Sequence, residues 1–336
     1  MVYGAIDLHT RYSHIRVIDE QGRVIRHQRV QTTAERLTAV FAKDGPMRIL
    51  VESSTESEWV AQTLERAGHE VIVADPNFAP MYGELHRKVK TNDRDVAALA
   101  EANRRGWYRA AYRASAAQRA QRQVLRSRRH LVAMRTGTIS LLRALLRQGG
   151  FRVGSGTSER FVERLAGLTL PPALAETVAP LRQVLDTLTT AIAALDARLE
   201  HQAAGDAIVQ RLQTVPGVGP VVALTFRAFV DDVARFGHAG QVSAAIGLVP
   251  REASSAERQH RGHISKAGPR ELRSLLVQAA WVCWRTSRGA LHDWVEHLAA
   301  RRGKRIAVVA LARRLSRILF AIWRDDTIFR SSRVAA

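Results

Sequence analysis

The chain has 336 residues, enough for two modest domains and a connector, and it carries a formal net charge of +20. It is 46% hydrophobic and 24% charged, its single cysteine (Cys283) cannot form an internal disulfide, and no apolar run reaches the roughly 18 residues of a membrane helix. These features, with N-terminal residues that lack the layout of a signal peptide, exclude a disulfide-built secreted domain and a membrane-spanning protein and predict a cytoplasmic one.

Residues 1–112 alternate between strand and helix signals. Short runs that are apolar or alternate in polarity predict five strands, and amphipathic runs predict three helices. The predicted strands are Val2–Leu8, His14–Asp19, Arg23–Val30, Met47–Val51 and His69–Ala74, and the predicted helices are Thr33–Lys43, Glu58–Ala67 and Asp93–Arg105. Three strands followed by helix, strand, helix, strand and helix describe an α/β domain of the ribonuclease H type.

Two long helical stretches follow, and each has an apolar seam. The first seam repeats every seven residues and the second steps by three and four; they are Leu125, Val132, Ile139 and Leu146, and then Leu181, Leu185, Leu188, Ile192, Leu195 and Leu199. These periods predict a helical, coiled-coil connector over residues 113–205, formed as an antiparallel hairpin, a partner interface or both. Two helices of one globular core are the alternative. Residues 206–330 are predicted to form a compact, mainly helical domain.

The positive charge is concentrated after residue 110. Residues 1–110 hold 16 basic and 15 acidic side chains, whereas the rest of the chain holds 35 basic against 16 acidic ones. Ten arginines and no acidic residue lie between Arg113 and Arg152. A basic surface of this density predicts a polyanionic partner, most commonly nucleic acid. A solvated basic surface without such a partner is the alternative.

Acidic residues lie at three points of the first domain. Asp7 and Glu52 each end a buried strand, where a carboxylate is costly unless it is paired or binds a metal ion. In a ribonuclease H arrangement these strands are neighbours, and Asp93 and Asp95 open the helix after Lys90. Carboxylates that converge on one sheet edge predict a site for Mg²⁺ that supports phosphoryl transfer. Taken singly, such a carboxylate is more often a helix cap or a salt-bridge partner.

A glycine-rich turn, Val215-Pro216-Gly217-Val218-Gly219-Pro220, enters a predicted helix. Such a turn presents backbone N–H groups to a phosphate without reading bases, so Gly217 and Gly219 are candidate nucleic-acid contacts. A plain turn between two helices is the alternative.

A serine pair, Ser254-Ser255, is followed by a group of basic residues: Arg258, Arg261, His263 and Lys266. Cations stabilise a serine alkoxide and hold a phosphate, so this segment is a candidate for a nucleophilic serine with nucleic-acid contacts at Arg258, Arg261 and Lys266. A polar loop without chemistry is the ordinary reading of a serine pair alone.

In this order along the chain, the motifs resemble those of the insertion-sequence-110 family of transposases, which are bridge-RNA-guided DEDD recombinases related to the Piv invertases. The motifs span nearly the whole sequence: Gly4-Ala5-Ile6-Asp7, Val51-Glu52-Ser53, Lys90 to Asp95 with Ala97 to Glu101, Pro216 to Pro220, Gly247-Leu248-Val249-Pro250, Ser254-Ser255, and Gly262 to Gly268. Each motif alone is weak, and their combination is specific.

The resemblance implies a RuvC-like catalytic domain over residues 1–112, a coiled-coil connector over residues 113–205 and a C-terminal transposase domain over residues 206–330. It implies that Asp7, Glu52 and Asp95 are catalytic carboxylates that hold Mg²⁺ or Mn²⁺, and that Ser255 is the nucleophile. It further implies donor and target DNA, a structured guide RNA, and a dimer or tetramer with composite active sites in the bacterial cytoplasm.

Two positions depart from the family pattern. The family's third carboxylate falls on Asn92, which Asp93 follows directly. Either Asp93 takes over as a metal ligand, or the site has one carboxylate fewer and reduced activity. The glycine that the family has after the nucleophile is Ala256 here.

The predicted function is therefore that of a transposase, a DNA recombinase that cuts and rejoins strands through a serine–phosphodiester intermediate. A RuvC-like structure-specific endonuclease, in which the serine is idle, is one alternative. A catalytically weakened nucleic-acid-binding relative is another, and Asn92 makes it credible.

Overall fold

The computed structural model describes residues 1–78, 81, 91–252 and 261–330. The chain divides into two compact units, Met1–Arg113 and Ala114–Ala336. The further division of the second unit into a connector and a C-terminal domain at residue 205 stays a prediction. None of the helices in the described ranges combines the length and the apolar character needed to cross a membrane.

The centre of the first unit is a five-stranded mixed sheet, formed by β1 (Tyr3–Asp7), β2 (Tyr12–Ile18), β3 (Val24–Gln31), β4 (Arg48–Glu52) and β5 (Glu70–Ala74). The strands lie in the order β3-β2-β1-β4-β5. The strands β1 to β3 form an antiparallel meander, whereas β4 and β5 continue the sheet parallel to β1. This sheet confirms the predicted α/β domain and its five strands, and it fits a ribonuclease H-like fold.

Three helices cover the two faces of this sheet: α1 (Ala34–Phe41), α2 (Ser57–Arg66) and α3 (Asn92–Arg105). Because successive strand residues point to opposite faces, Ile6 and Val51 pack with α1 and α2, whereas Ala5 and Leu50 pack with α3. The α3 helix begins one residue before its predicted start, because the Thr91 side chain caps it by accepting a hydrogen bond from the Arg94 backbone N–H.

The second unit is mainly helical, as predicted for residues 206–330. A large apolar core joins residues of several helices, and a small two-stranded sheet packs one side chain, Ile264, against it. The elements are α4 (Ala116–Gln148), α5 (Phe161–Ala166), α6 (Pro172–Gly205), α7 (Ala207–Leu212), α8 (Pro220–Val230), α9 (Ala239–Ala245), β6 (Pro250–Glu252), β7 (Arg261–Ile264), α10 (Arg270–Thr286), α11 (Ala290–Arg302) and α12 (Lys304–Arg324).

The long helices α4 and α6 pack against each other in opposite directions. Arg128, early in α4, forms an ion pair with Asp196, late in α6. Ile139, late in α4, lies in one apolar cluster with Leu185, which lies early in α6. Every residue of the two predicted seams is buried or half-buried. The antiparallel pairing was one of the predicted alternatives, whereas the coiled-coil connector and the partner interface stay predictions.

Candidate catalytic site

Asp7 and Glu52 are the last residues of two neighbouring parallel strands, β1 and β4. The register pairs Ile6 with Val51, so the two carboxylates end their strands side by side. Ala5 and Leu50, two residues before Asp7 and Glu52, pack against α3. Because side chains two positions apart in a strand point to the same face, Asp7 and Glu52 also lie on the α3 face of the sheet. The sheet therefore brings these two predicted site residues together at the carboxyl ends of β1 and β4. This end of the two strands is called the catalytic edge below.

Helix α3 carries Asp95 to the same edge. Asn103, near the end of α3, donates from Nδ2 to the backbone oxygens of Gly4 and Arg48 at 2.8 Å, which ties this end to the beginnings of β1 and β4. The eight residues back to Asp95 span about 12 Å of helix, and the three residues from Gly4 to Asp7 span about 10 Å of strand. Asp95 therefore lies close to the level of Asp7, above the carboxyl ends of the strands.

Two of these three carboxylates are nearly buried, since Asp7 is 9% exposed and Asp95 is 8% exposed. The His9 Nε2 atom lies 3.1 Å from the Asp7 Oδ2 atom. A buried carboxylate is stabilised by hydrogen bonds, a paired cation or a metal ion, and a set made only of hard oxygen donors suits a hard divalent cation. The chemistry of Asp7, Glu52 and Asp95 therefore fits the magnesium site predicted from the sequence.

Asp93, the fourth predicted metal ligand, has histidine partners. Its Oδ1 atom lies 3.1 Å from His14 Nδ1 and 3.2 Å from His27 Nε2. In the described residues, His14, His27 and Asp93 form the one group of three candidate ligand atoms that all lie within 4.8 Å of one another. The carboxylates of Asp7, Glu52 and Asp95 do not form such a group. The structure thus gives Asp93 a separate set of neighbours.

His14 and His27 are not among the site residues predicted from the sequence. His14 is the register partner of Asp7 on β2, and His27 is the register partner of Arg16 on β3. Both therefore share the α3 face of the sheet with Asp7. Strand alternation across the predicted meander was the signal that could have found them, but it required the register between strands, which the sequence alone does not provide.

An open cleft of about 410 Å³ adjoins the catalytic edge. The Arg29 guanidinium lies 4.1 Å from the centre of the Tyr12 ring, and the Arg11 guanidinium lies 5.8 Å from it. Fixed cations beside an aromatic ring suit a nucleic-acid strand, because cations pair with phosphate and the ring stacks on a base. The cleft is lined by His9, Arg11, Tyr12, His14, Arg29 and Asn92.

The glycine-rich turn leads into α8, with Gly219 as the cap and Pro220 in the first turn. Gly217 has a φ of +83°, and a Cβ there would lie 2.4 Å from the backbone oxygen of Ala279 and 2.8 Å from the backbone nitrogen of Cys283. Gly217 is therefore required for close contact with α10. A Cβ at Gly219 would meet nothing within 4 Å, so packing does not explain that glycine.

We expect Gly217→Ala to lower the free energy of unfolding by roughly 2–5 kcal/mol, because the new Cβ would meet the α10 backbone in a left-handed conformation. Chemical denaturation measures this effect. Gly219→Ala is the matched control, and it should cost less than about 1 kcal/mol. Equal stability of the two variants would contradict the packing role of Gly217.

The glycine motifs on either side of the serine pair lie against each other. The Ser265 backbone N–H donates to Val249 O at 2.7 Å, and the Lys266 backbone N–H donates to Gly247 O at 3.1 Å. Lys266 is exposed and has a φ of +57°. These backbone hydrogen bonds hold together the residues that come before β6 and those that come after β7.

The predicted nucleophile belongs to the segment that joins β6 to β7. Ser254, Ser255 and Arg258 lie outside the described residues, and Arg261 is described only as a position in β7. Ser255 as nucleophile, and Arg258, Arg261 and Lys266 as nucleic-acid contacts, therefore stay predictions.

Comparison with known proteins identifies the family. Residues 5–150 match a family model described as a transposase of the DEDD IS110 type, and residues 209–295 match one described as the transposase IS116/IS110/IS902 family. A probable family 20 transposase of Pseudomonas aeruginosa is 30% identical over an alignment of 336 positions, which covers 97% of this chain and 97% of the relative. The chain belongs to the IS110 family of transposases.

Further relatives of this transposase agree with that assignment. The transposase for insertion sequence element IS1111A of Coxiella burnetii is 31% identical, over 93% of this chain and 87% of the relative. The transposase for insertion sequence element IS1328 of Yersinia enterocolitica is 28% identical, over 96% and 97% of the two chains. The transposase assignment confirms the predicted family, and the activity that it implies is the cutting and rejoining of DNA.

Proposed function

We propose that this transposase cuts and rejoins DNA through a covalent serine–phosphodiester intermediate, with divalent metal ions held by Asp7, Glu52 and Asp95. The observation that carries the proposal is the convergence of these three carboxylates at the edge formed by β1, β4 and the beginning of α3. A divalent ion bound there supplies a Lewis acid that offsets the charge developing on a phosphodiester.

The residues around the carboxylates hold the DNA strand and its neighbouring groups. Arg11 and Arg29 bind backbone phosphates in the cleft, and the ring of Tyr12 lies under a base or sugar. The His9 ring, 3.1 Å from Asp7, orients that carboxylate. Because these contacts do not read base edges, they position the strand without selecting its sequence.

The serine step proceeds by exchange of one phosphoester bond for another. The Ser255 Oγ atom loses its proton and forms a bond to phosphorus, the bond from phosphorus to a sugar oxygen breaks, and the leaving oxygen takes up a proton, so the step releases and consumes one proton. Attack by a sugar hydroxyl of the second strand on the phosphoserine reverses these changes and releases Ser255. Arg258, Arg261 and Lys266 supply positive charge for the phosphate.

The departure at the third carboxylate favours a site with one charge fewer. Asp93 faces His14 and His27, and Asn92 has its Nδ2 atom 3.4 Å from His14 Nε2. A carboxylate that two histidines hold is not free to replace the missing ligand. We therefore assign the catalytic ion to Asp7, Glu52 and Asp95 and leave Asp93 outside its ligand set.

Guide RNA binds, on this proposal, along the basic surface of the long helices. Arg143, Arg147 and Arg152 line an open cavity of about 670 Å³ at the end of α4, together with Phe151. Arginines beside an aromatic ring favour an unpaired nucleic-acid segment, because they bind phosphate while a base stacks on the ring.

The helix pair also provides a surface for a second copy of the chain. Met134 and Leu141, seven residues apart on α4, expose 44% and 48% of their surface, and Val184 on α6 exposes 44%. Large apolar side chains exposed at heptad spacing are typical of a coiled-coil interface. We propose that α4 and α6 act as a coiled-coil connector and that the active transposase is a dimer or tetramer.

The test is purification of the transposase from its native locus, with sequencing of the RNA that accompanies it. We expect one structured RNA species, and strand exchange between donor and target DNA in the presence of that RNA and Mg²⁺. Cleavage without any rejoined product would favour the structure-specific endonuclease. Nucleic-acid binding without cleavage would favour the weakened relative.

A further inference from the structure

A trio of side chains beside the catalytic edge has the composition and geometry of a metal site. It consists of His14 on β2, His27 on β3 and Asp93 in the first turn of α3. All three ligand atoms lie within 4.8 Å of one another. The strand register makes His14 and His27 diagonal neighbours on the same face of an antiparallel pair, where long side chains reach each other.

Two of the three distances in the trio match the edges of a metal coordination shell, and the third, between the histidine nitrogens, is within 4.8 Å. Ligand atoms about 2.1 Å from a common ion are separated by about 3.4 Å in a tetrahedral site and by about 3.0 Å in an octahedral one. The Asp93 Oδ1 atom lies 3.1 Å from His14 Nδ1 and 3.2 Å from His27 Nε2, between these two values. An ion can therefore bind all three atoms with small movements of the side chains.

The backbone around the trio is held in place. His14 and His27 lie within paired strands, and Thr91 caps the helix that carries Asp93. The second ring nitrogen of His14 is 3.4 Å from the side-chain amide of Asn92. An amide turned by half a rotation presents its oxygen to that nitrogen, and such an acceptor fixes the ring of a metal-bound histidine.

We infer that His14, His27 and Asp93 bind a first-row transition-metal ion of the Zn²⁺ type, separately from the carboxylates Asp7, Glu52 and Asp95. A site with two imidazole nitrogens and one carboxylate oxygen binds Zn²⁺ in preference to Mg²⁺, because Mg²⁺ favours ligands that are all oxygen atoms. Three protein ligands leave a fourth position for water or a phosphate oxygen. The cleft that His14 and Asn92 line gives that position access to solvent.

The test uses the full chain, freed of metal with a chelator and then titrated with Co²⁺ and Zn²⁺ in millimolar Mg²⁺. We expect one equivalent of Co²⁺ to give a visible absorption spectrum typical of mixed nitrogen and oxygen ligation, and one equivalent of Zn²⁺ to abolish it. His14→Ala, His27→Gln and Asp93→Ala should each weaken Zn²⁺ binding by at least about 100-fold, since each removes a direct ligand.

Two control variants separate this site from others in the chain. His292 also lies near carboxylates, those of Asp293 and Glu296, so His292→Ala reports on adventitious histidine binding. Glu52→Gln reports on the catalytic carboxylates. Both controls should keep the Zn²⁺ affinity of the unaltered chain, and circular dichroism checks that each variant is folded.

Three results would overturn the inference. The first is a chain that binds no Zn²⁺ in millimolar Mg²⁺, which would make the trio a hydrogen-bonded cluster. The second is Zn²⁺ binding that His14→Ala and His27→Gln leave unchanged. The third is Zn²⁺ binding that Glu52→Gln abolishes.

Discussion

Asp7→Asn and Glu52→Gln should each lower DNA strand cleavage by at least about 10³-fold, which corresponds to about 4 kcal/mol of lost transition-state stabilisation. The two side chains end neighbouring parallel strands and are proposed to hold the divalent ion. An amide keeps the shape of the side chain but removes the charge that binds the ion. Cleavage of labelled DNA under single-turnover conditions measures the effect.

Binding of nucleic acid should change by no more than a few-fold in these variants. Most of the net positive charge lies beyond residue 110, and phosphate contacts dominate affinity. Salt concentration is therefore kept constant when the affinities are compared.

Glu70→Gln is the matched control for Glu52→Gln. Glu70 is the first residue of β5 and is exposed. It therefore lies in the same sheet as Glu52, but at the amino-terminal end of the parallel strands, whereas Glu52 lies at their carboxyl end. We expect cleavage by this variant to equal that of the unaltered transposase. Full cleavage by Asp7→Asn or by Glu52→Gln would remove the carboxylate assignment.

Ser255→Ala should abolish both the protein–DNA adduct and all recombination. A serine becomes a useful nucleophile only with help from a base, a metal ion or nearby cations, and the basic residues that follow Ser255 offer such help. Alanine removes the Oγ atom that forms the bond to phosphorus, while folding and RNA binding are expected to remain. A denaturing gel with labelled target DNA shows the adduct as a slowly migrating band.

Ser254→Ala is the matched control, and it should form the adduct with at most a modest loss. An adduct that persists in Ser255→Ala and disappears in Ser254→Ala would transfer the role to Ser254. If Ser255→Ala still cut DNA at the normal rate, the endonuclease alternative would be favoured. Completed strand exchange without any adduct in the unaltered transposase would exclude the serine mechanism.

The sequence alone was sufficient for the order of elements in the first unit and for placing two of its candidate catalytic carboxylates. Local patterns carry this information, because the apolar alternation of a strand and the cap of a helix depend on residues a few positions apart. Asp7 and Glu52 could be found in the same way, since each ends a buried strand. The motifs, read in chain order, also identified the family.

Two other assignments depended on contacts between residues far apart in the chain. Gly217 was predicted as a phosphate contact from its turn, and the structure adds a packing role, because its Cβ position lies against the backbone of α10, more than 60 residues later. Gly268 has the same kind of role, because a Cβ there would lie 1.9 Å from the backbone oxygen of Ala245. Turn patterns cannot separate a phosphate-binding glycine from one required by close packing, since both need the same backbone conformation.

The neighbours of Asp93 show most clearly what the tertiary structure decided. From the sequence, Asp93 was a possible replacement for the carboxylate missing at Asn92. The register of β2 and β3 and the position of the first turn of α3 bring Asp93 to His14 and His27, which lie 79 and 66 positions earlier in the chain. Sequence patterns determine which side chains leave a strand or helix on the same face, whereas only the packing of these elements determines which faces meet.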